Sequence, residues 1–245
     1  MRIAKLILTF LVVIIFTGIS YAEIHYPELP MPKDVYAEFR NERDVESYLD
    51  KNKNSMDYFL GSVYYMYEVV NISGDKELRK GIQKKYVDRA IQLNEYSVSN
   101  DKNNALYKAN LGALYGIKIN YTGFPALMEL AKKCQVTLNK AIQSAPNNPE
   151  LRLIRLRAFV KFPYEYYGNL KKLIEEDSKI VLDWTDQFFE TSEDRQDLAG
   201  YFQEIKNETL YLTGTYYLEQ IKDQIKAKSY YSKIEKDSYY YRLIK

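Results

Sequence analysis

The sequence contains a single cysteine, Cys134, and a single histidine, His25, among its 245 residues. One cysteine excludes an intrachain disulfide, so the folded chain must be stabilised by packing. Most metal sites and much acid–base chemistry use several such residues together. The sequence also shows no set of nucleophile, base and orienting group. We therefore expect no enzymatic activity, no cofactor and no metal site.

The first 22 residues have the three-part form of a secretory signal peptide. A basic start at Arg2 and Lys5 precedes an apolar or weakly polar run over residues 6–19. Residues 20–22, Ser-Tyr-Ala, place small residues at the −3 and −1 positions of a cleavage site before Glu23. An uncleaved anchor is the alternative, but a spanning helix needs about 20 apolar residues. We expect a mature chain that is periplasmic or secreted and has no integral membrane segment.

Neither sign of charge is in clear excess. The chain has 35 Lys and Arg against 33 Asp and Glu, and loss of Arg2 and Lys5 with the signal peptide leaves 33 of each. A neutral chain lacks the positive surface of a nucleic-acid-binding protein. It also has no general attraction to an anionic membrane surface. We therefore expect no nucleic acid as a partner.

Hydrophobic periodicity predicts helices along most of the chain. Prolines at 27, 30 and 32 make residues 23–33 a stiff, extended leader. Apolar residues then recur every three or four positions, and no segment alternates with a period of two over a useful length. The first helix is predicted to begin at Asp34, and others to cover about 55–71, 75–96 and 104–119. A further helix begins at Pro125, the next lies between Pro149 and Pro163, and a long one covers about 168–190. One or two helices are expected between 194 and 222, and a last pair at the C-terminus.

One short phrase occurs twice at a fixed offset of 51 residues. Leu60-Gly61-x-x-Tyr64 recurs as Leu111-Gly112-x-x-Tyr115, and Ala90 recurs as Ala141 at the same offset. Because both halves share one offset, each phrase and its alanine belong to one repeated unit of two helices. Small residues at these positions allow helix axes to cross at short distance.

These units resemble the tetratricopeptide repeat, in which a proline closes a pair of helices that approach each other at small residues. Cys134, Leu138 and Ala141 fit its second helix, and Pro146 closes the unit. The segment 148–168 also resembles exported bacterial repeat proteins of unassigned function. The resemblance implies an all-α fold: a right-handed α-solenoid of helical hairpins, irregular, with about nine or ten helices, in one domain over residues 34–245.

The chain departs from the family pattern in its first three units, and the fourth returns to the usual spacing. The usual unit has about 34 residues, whereas extra residues separate the two helices of each of the first two units. The third unit begins at Glu150 and carries arginines where large apolar residues are usual. The fourth unit covers about 208–241 and has its predicted slots at Tyr211, Thr215, Leu218, Ala227, Tyr231 and Ile234, followed by a capping helix in "DSYYYRLIK".

Arg152 and Arg155 are the candidate binding residues. They lie three positions apart at slots that face into the repeat, where an unpaired arginine is costly. One hypothesis is a structural bridge to Glu175, Glu176 or Asp177 on the following helix. The other is that the two guanidinium groups hold the carboxylate of a peptide or small ligand, which suits their fork geometry.

Other reactive side chains have simpler interpretations. Cys134 occupies a small-residue slot, which predicts core packing. The acidic residues between 175 and 186 could include a catalytic carboxylate pair, but interspersed lysines favour a solvated charged face. Most of the 25 tyrosines are expected to pack between helices, and some to line a groove.

The sequence thus predicts an exported, non-catalytic scaffold that mediates protein–protein interaction. Stacked helical hairpins leave a concave face suited to a peptide or a helix, so we expect a protein or peptide partner. The alternative is a solute- or ligand-binding accessory subunit of a transporter or cell-envelope complex. An enclosed apolar chamber would favour that alternative, and an open groove would favour the scaffold.

Overall fold

A computed structural model describes residue 39 and residues 41–71, 76–162, 169–191 and 196–244. The predicted signal peptide, the leader over residues 23–33 and His25 lie outside these residues. The described part is all-helical, with ten α-helices, one π-helical turn and no strand. The all-α prediction is confirmed, whereas the solenoid arrangement stays a prediction.

The helices follow the predicted pattern closely. The described elements, numbered in chain order, are α1 Glu42–Lys51, α2 Ser55–Asn71, α3 Lys76–Asn100, α4 Ala105–Ile119, α5 Ala126–Ser144, α6 Pro149–Phe159, α7 Leu170–Thr191, α8 Gln196–Tyr216, a π turn Tyr217–Ile221, α9 Gln224–Tyr231 and α10 Tyr239–Leu243. The predicted start of the first helix, at Asp34, lies outside the described residues; Phe39 is not helical, and α1 begins at Glu42. Asn41 caps α1, and its side chain accepts a hydrogen bond from the Asp44 amide at 3.2 Å.

The described chain forms two compact units, one ending at Asn147 and the other beginning at Asn148. In the first unit α2 packs on α3 and α4 packs on α5, as two helical hairpins, while α3 also contacts α4. In the second unit α6 packs on α7, α7 on α8, and α8 on α9. Consecutive helices therefore form the main contacts within each unit.

The repeated glycines lie where helices approach each other closely. A Cβ atom at Gly61 would lie 3.0 Å from Leu49 and 3.2 Å from Leu93, and one at Gly112 would lie 2.7 Å from Leu138 Cγ. The predicted role of these two positions is confirmed. In the second unit Gly214 has the same role, since a Cβ atom there would clash with the Tyr231 ring.

The fourth-unit assignment needs one correction. Ala227 and Ile234 are buried as predicted, but Leu218 lies in the π turn and is partly exposed. The structure instead brings Gly214 to the close approach, so the recurring phrase continues as Gly214-x-x-Tyr217. The glycine of this phrase follows Gly112 at twice the 51-residue offset.

Cysteine and tyrosine side chains contribute to the cores as expected. Cys134 is fully buried on α5, and burial raises the pKa of its thiol. Tyr64, Tyr65 and Tyr107 are buried in the first unit, and Tyr216 and Tyr217 in the second. Interhelix packing is therefore confirmed for these tyrosines, whereas the tyrosines at positions 164, 166 and 167 lie outside the described residues.

A buried polar network ties three helices of the first unit together. Ser62 on α2, Asn94 on α3 and Asn110 on α4 are all fully buried. The Asn110 amide donates to Ser62 Oγ at 2.8 Å and to Asn94 Oδ1 at 3.2 Å. Asn94 in turn donates to the Tyr107 carbonyl at 2.7 Å. Because a buried polar group is costly without partners, this network favours one register of the three helices.

Polar contacts hold α1 against the first hairpin. Glu46 accepts a hydrogen bond from the Tyr65 hydroxyl on α2 at 2.6 Å and pairs with the Arg89 guanidinium on α3. Leu49 and Val45 are the buried apolar residues of the helix. Burial raises the pKa of Glu46, but the hydrogen bonds from Arg89 and Tyr65 outweigh burial, and the pKa lies below its usual value of 4.5.

We predict that α1 detaches more readily in acid. A carboxyl group whose pKa is lowered in the folded state stabilises the fold above its unfolded pKa, and this contribution disappears as the pH falls through the folded pKa. Hydrogen exchange of the α1 amides, compared between pH 7 and pH values below 4.5, should therefore show protection lost first in α1. Glu46→Gln should remove most of this pH dependence, whereas equal loss of protection throughout the first unit would contradict the prediction.

Candidate functional site

Helix α6 carries the predicted binding residues and is itself almost entirely buried. Asn148 caps it, with its side-chain oxygen accepting from the Glu150 and Leu151 amides at 2.9 and 3.1 Å. Pro149 occupies the first turn, where its missing N–H costs nothing. A proline directly after a capping asparagine fixes the start of the helix, and with it the direction of every arginine along it.

Arg152 and Arg155 converge on one carboxylate, that of Asp177 on α7. Arg155 donates through Nε to Oδ2 and through Nη2 to Oδ1, both at 2.8 Å. Arg152 donates through Nη1 to Oδ1 at 3.0 Å. The side chains of Arg155 and Asp177 are 4% and 1% exposed. The hypothesis of a bridge to the following helix is thus confirmed, with Asp177 as the carboxylate.

The geometry restricts what this cluster can bind. A forked, two-bond contact of the Arg155 type is the arrangement that would recognise a ligand carboxylate, and Asp177 already occupies it. Burial raises the pKa of Asp177, while the hydrogen bonds and charges of Arg155 and Arg152 oppose that rise. An incoming anion would have to displace a buried side chain, so ligand binding by Arg152 and Arg155 stays a prediction.

A third arginine of α6 forms a separate pair that the sequence reasoning missed. Arg157 is 1% exposed and lies on the opposite side of the helix from Arg155, since two residues rotate a helix by about 200°. Its Nε donates to Glu208 on α8 at 2.7 Å, and its Nη2 also pairs with that carboxylate. The spacing Arg155-x-Arg157 could have predicted this second pair, because it directs one guanidinium group toward each of the two neighbouring helices.

The acidic residues that follow on α7 divide between burial and solvent. Asp177 is buried, so the predicted solvated face is wrong at this position. The physical reason is its pairing with two arginines. Glu176, Asp183 and Asp186 are exposed as expected. Glu176 Oε1 lies 3.8 Å from Lys172 Nζ, and Asp186 Oδ1 lies 2.6 Å from Lys206 Nζ.

Glu175 belongs to a different cluster, beside the π turn. It accepts a hydrogen bond from the Tyr217 hydroxyl and lies 3.0 Å from Lys226 Nζ. The Lys226 ammonium also lies 4.2 Å from the centre of the Tyr217 ring. Burial and the hydrogen bond to Glu175 raise the pKa of Tyr217 to about 12. Glu175 is therefore occupied by contacts with the π turn and α9, whereas Asp177 is the carboxylate that pairs with arginines of α6.

The described residues contain neither a metal site nor a membrane span of recognisable form. Among them, no group of three or more His, Cys, Asp and Glu side chains is placed to hold a metal ion. No helix in the same part of the chain is both long and apolar enough to cross a bilayer.

Comparison with known proteins adds no relative. No protein-family model matches the chain, no curated protein matches it, and no solved structure matches it. The similarity to tetratricopeptide repeats therefore rests on the residue pattern and on the positions of the small residues.

Proposed function

We propose that the protein is an exported, non-catalytic scaffold of tetratricopeptide-like helical hairpins that binds another protein. The proposal is supported chiefly by large apolar side chains that stay exposed on helices whose other faces are closely packed. On α5, for example, Leu130, Cys134 and Leu138 are buried, while Met128 and Val136 are each 41% exposed. Clusters of exposed apolar side chains are typical of interaction surfaces.

The buried charges also support a structural use of the helices. Arg155 and Arg157 each form a two-bond pair with a carboxylate of a neighbouring helix. Breaking such a pair is strongly unfavourable, so these contacts fix the relative positions of α6, α7 and α8. A scaffold benefits from such rigidity, because a preorganised surface loses less entropy on binding.

Purification of the mature chain from the envelope fraction of its source organism tests the proposal. Native mass spectrometry of the purified sample should show a protein that co-purifies in a fixed ratio. A small molecule retained without any protein would instead favour a solute-binding subunit. A sample that retains neither a protein nor a small molecule would contradict the scaffold proposal.

The export part of the proposal gives a separate prediction. Cleavage after Ala22 should yield a mature chain whose N-terminal sequencing reads Glu23-Ile24-His25. Substituting Ala22 with a bulky residue such as Phe should slow processing, since the −1 position requires a small side chain. Full-length chain recovered from membranes with the unaltered sequence would contradict the prediction.

A further inference from the structure

Helix α5 has an exposed face on which apolar and basic residues alternate. Met128, Lys132, Val136 and Lys140 follow one another at intervals of four residues, and all are exposed. Phe124, in the turn that leads into the helix, is 81% exposed. Of the ten large apolar side chains that are exposed among the described residues, three lie between positions 124 and 136. Exposed apolar side chains are therefore concentrated on this helix and in the turn before it.

The lysines of this face are available to a partner. Lys133 pairs with Glu129 at 2.9 Å on the same helix. Within the described part of the chain, Lys132 and Lys140 have no ion-pair partner. The face thus combines exposed apolar surface with two lysines that have no ion-pair partner among the described residues.

The support beneath the face is rigid. Leu138 on the opposite side of α5 contacts the backbone position of Gly112, and Cys134 and Ala141 are fully buried. Close packing of α5 on α4 holds the exposed side chains on a stripe that turns by about 40° around the helix at each four-residue step. Such a preorganised surface suits a partner that is itself regular.

We infer that this face of α5 binds an acidic amphipathic helix of a partner protein, an inference that rests on the proposed scaffold function. Lys132 and Lys140 are eight residues apart, and so are Met128 and Val136, which corresponds to about 12 Å along the helix axis. A partner helix with two acidic side chains about two turns apart and apolar side chains between them matches both spacings. The charges then set orientation and association rate, and the apolar contacts provide affinity.

A membrane surface fits the same residues less well. Peripheral membrane helices place their apolar residues together on one face and their basic residues on the other. On α5 each of these lysines follows an exposed apolar residue by four positions, so basic and apolar residues are interspersed on the same stripe of the helix. The balanced charge expected of the mature chain, 33 basic and 33 acidic residues, also provides no general attraction to anionic lipid.

The test uses the mature full chain and two synthetic helical peptides of the same 19-residue length as α5. Both peptides carry leucines along one face. In one peptide two glutamates eight residues apart flank this face, and in the other two lysines take the same positions. Fluorescence anisotropy should show that the glutamate peptide binds and the lysine peptide does not. The affinity should fall as salt concentration rises, because exposed charges are screened.

Charge reversal separates the α5 face from the rest of the surface. The Lys132→Glu/Lys140→Glu variant should lose at least tenfold in affinity for the glutamate peptide and should gain binding of the lysine peptide. Met128→Ser/Val136→Ser should weaken binding without this exchange of preference. The matched control is Lys80→Glu/Lys84→Glu on α3, where both lysines are also exposed, and it should bind as the unaltered chain does.

Three outcomes would overturn the inference. The first is no binding of the glutamate peptide, and the second is equal binding by the charge-reversal variant and the α3 control. The third is co-sedimentation with phosphatidylglycerol vesicles that is lost in the Lys132→Glu/Lys140→Glu variant while neither peptide binds. If that variant still retains a natural protein partner, the scaffold function stands and only the α5 surface is wrong. If the unaltered chain retains no protein partner, the scaffold function itself is wrong.

Discussion

Replacing Gly112 with alanine is expected to destabilise the first unit by about 1–3 kcal/mol, and leucine by more. A Cβ atom at this position would lie 2.7 Å from Leu138 Cγ, 2.9 Å from Cδ2 and 3.1 Å from the Leu138 backbone nitrogen. A side chain can rotate away from a methyl group, but a backbone nitrogen in the middle of α5 cannot. The α4–α5 pair must therefore separate, with loss of packing along both helices.

Chemical denaturation of Gly112→Ala and Gly81→Ala measures this effect with an internal control. Gly81 also lies inside a helix, α3, but nothing lies within 4 Å of a Cβ atom built there. Alanine at position 81 should stabilise the protein by about 0.5–1 kcal/mol, because glycine is a poor helix former. The two variants should thus shift the denaturation midpoint in opposite directions. Stabilisation by Gly112→Ala as well as by Gly81→Ala would show that the close approach at Gly112 is absent.

Asp177→Asn is expected to destabilise the second unit by about 3–5 kcal/mol, the cost of breaking a buried ion pair. Asp177 is 1% exposed and accepts hydrogen bonds from both Arg155 and Arg152. Asparagine keeps the shape of the side chain but removes its charge and replaces one acceptor oxygen with a donor. The buried Arg155 guanidinium and the partly buried Arg152 guanidinium then face a neutral amide in place of their shared carboxylate.

Glu176→Gln is the matched control, because Glu176 is the neighbouring acidic residue on α7 but is exposed and lies 3.8 Å from Lys172. Exposed pairs of this kind contribute about 0–1 kcal/mol, so the control should melt nearly as the unaltered chain does. The double variant Arg152→Leu/Arg155→Leu should also be destabilised, since it leaves the Asp177 carboxylate buried and unpaired. Adding Asp177→Leu to that double variant should restore much of the loss, as a well-packed apolar cluster can replace a buried ionic one. Equal stability of Asp177→Asn and Glu176→Gln would contradict the structural role.

The sequence was most informative where local chemistry decides the structure. The boundaries of α2 were predicted at residues 55–71 and are found at Ser55–Asn71, because hydrophobic periodicity and turn residues act over a few positions. The close approach at Gly112 was predicted from a repeated phrase, since only a small residue fits between crowded helices. Cys134 was placed in the core for the same reason.

The sequence was least informative where a choice among partners had to be made. Three acidic residues in a row, 175–177, were equally available to the arginines of α6, and only Asp177 lies toward them. Glu175 instead pairs with Lys226, and Glu176 with Lys172. A rotation of about 100° between successive residues of a helix assigns each to a different neighbour.

The π turn after α8 shows the same limit in a different way. An extra residue in a helical turn shifts every later side chain by a fraction of a turn, so the slots counted forward to Leu218 no longer face the core. The true close approach is at Gly214. A single glycine is a weaker signal than the helix spacing expected of the repeat, so the sequence reasoning did not select it.

By itself the sequence determined that the described chain is helical, where most of its helices begin and end, and which small residues lie at close approaches. These features depend on backbone preferences and on the volume of single side chains, which are local properties. The tertiary structure alone decided which carboxylate neutralises each buried arginine and which face of α5 stays exposed. Those outcomes depend on the rotation and spacing of whole helices relative to one another, which no short stretch of sequence fixes.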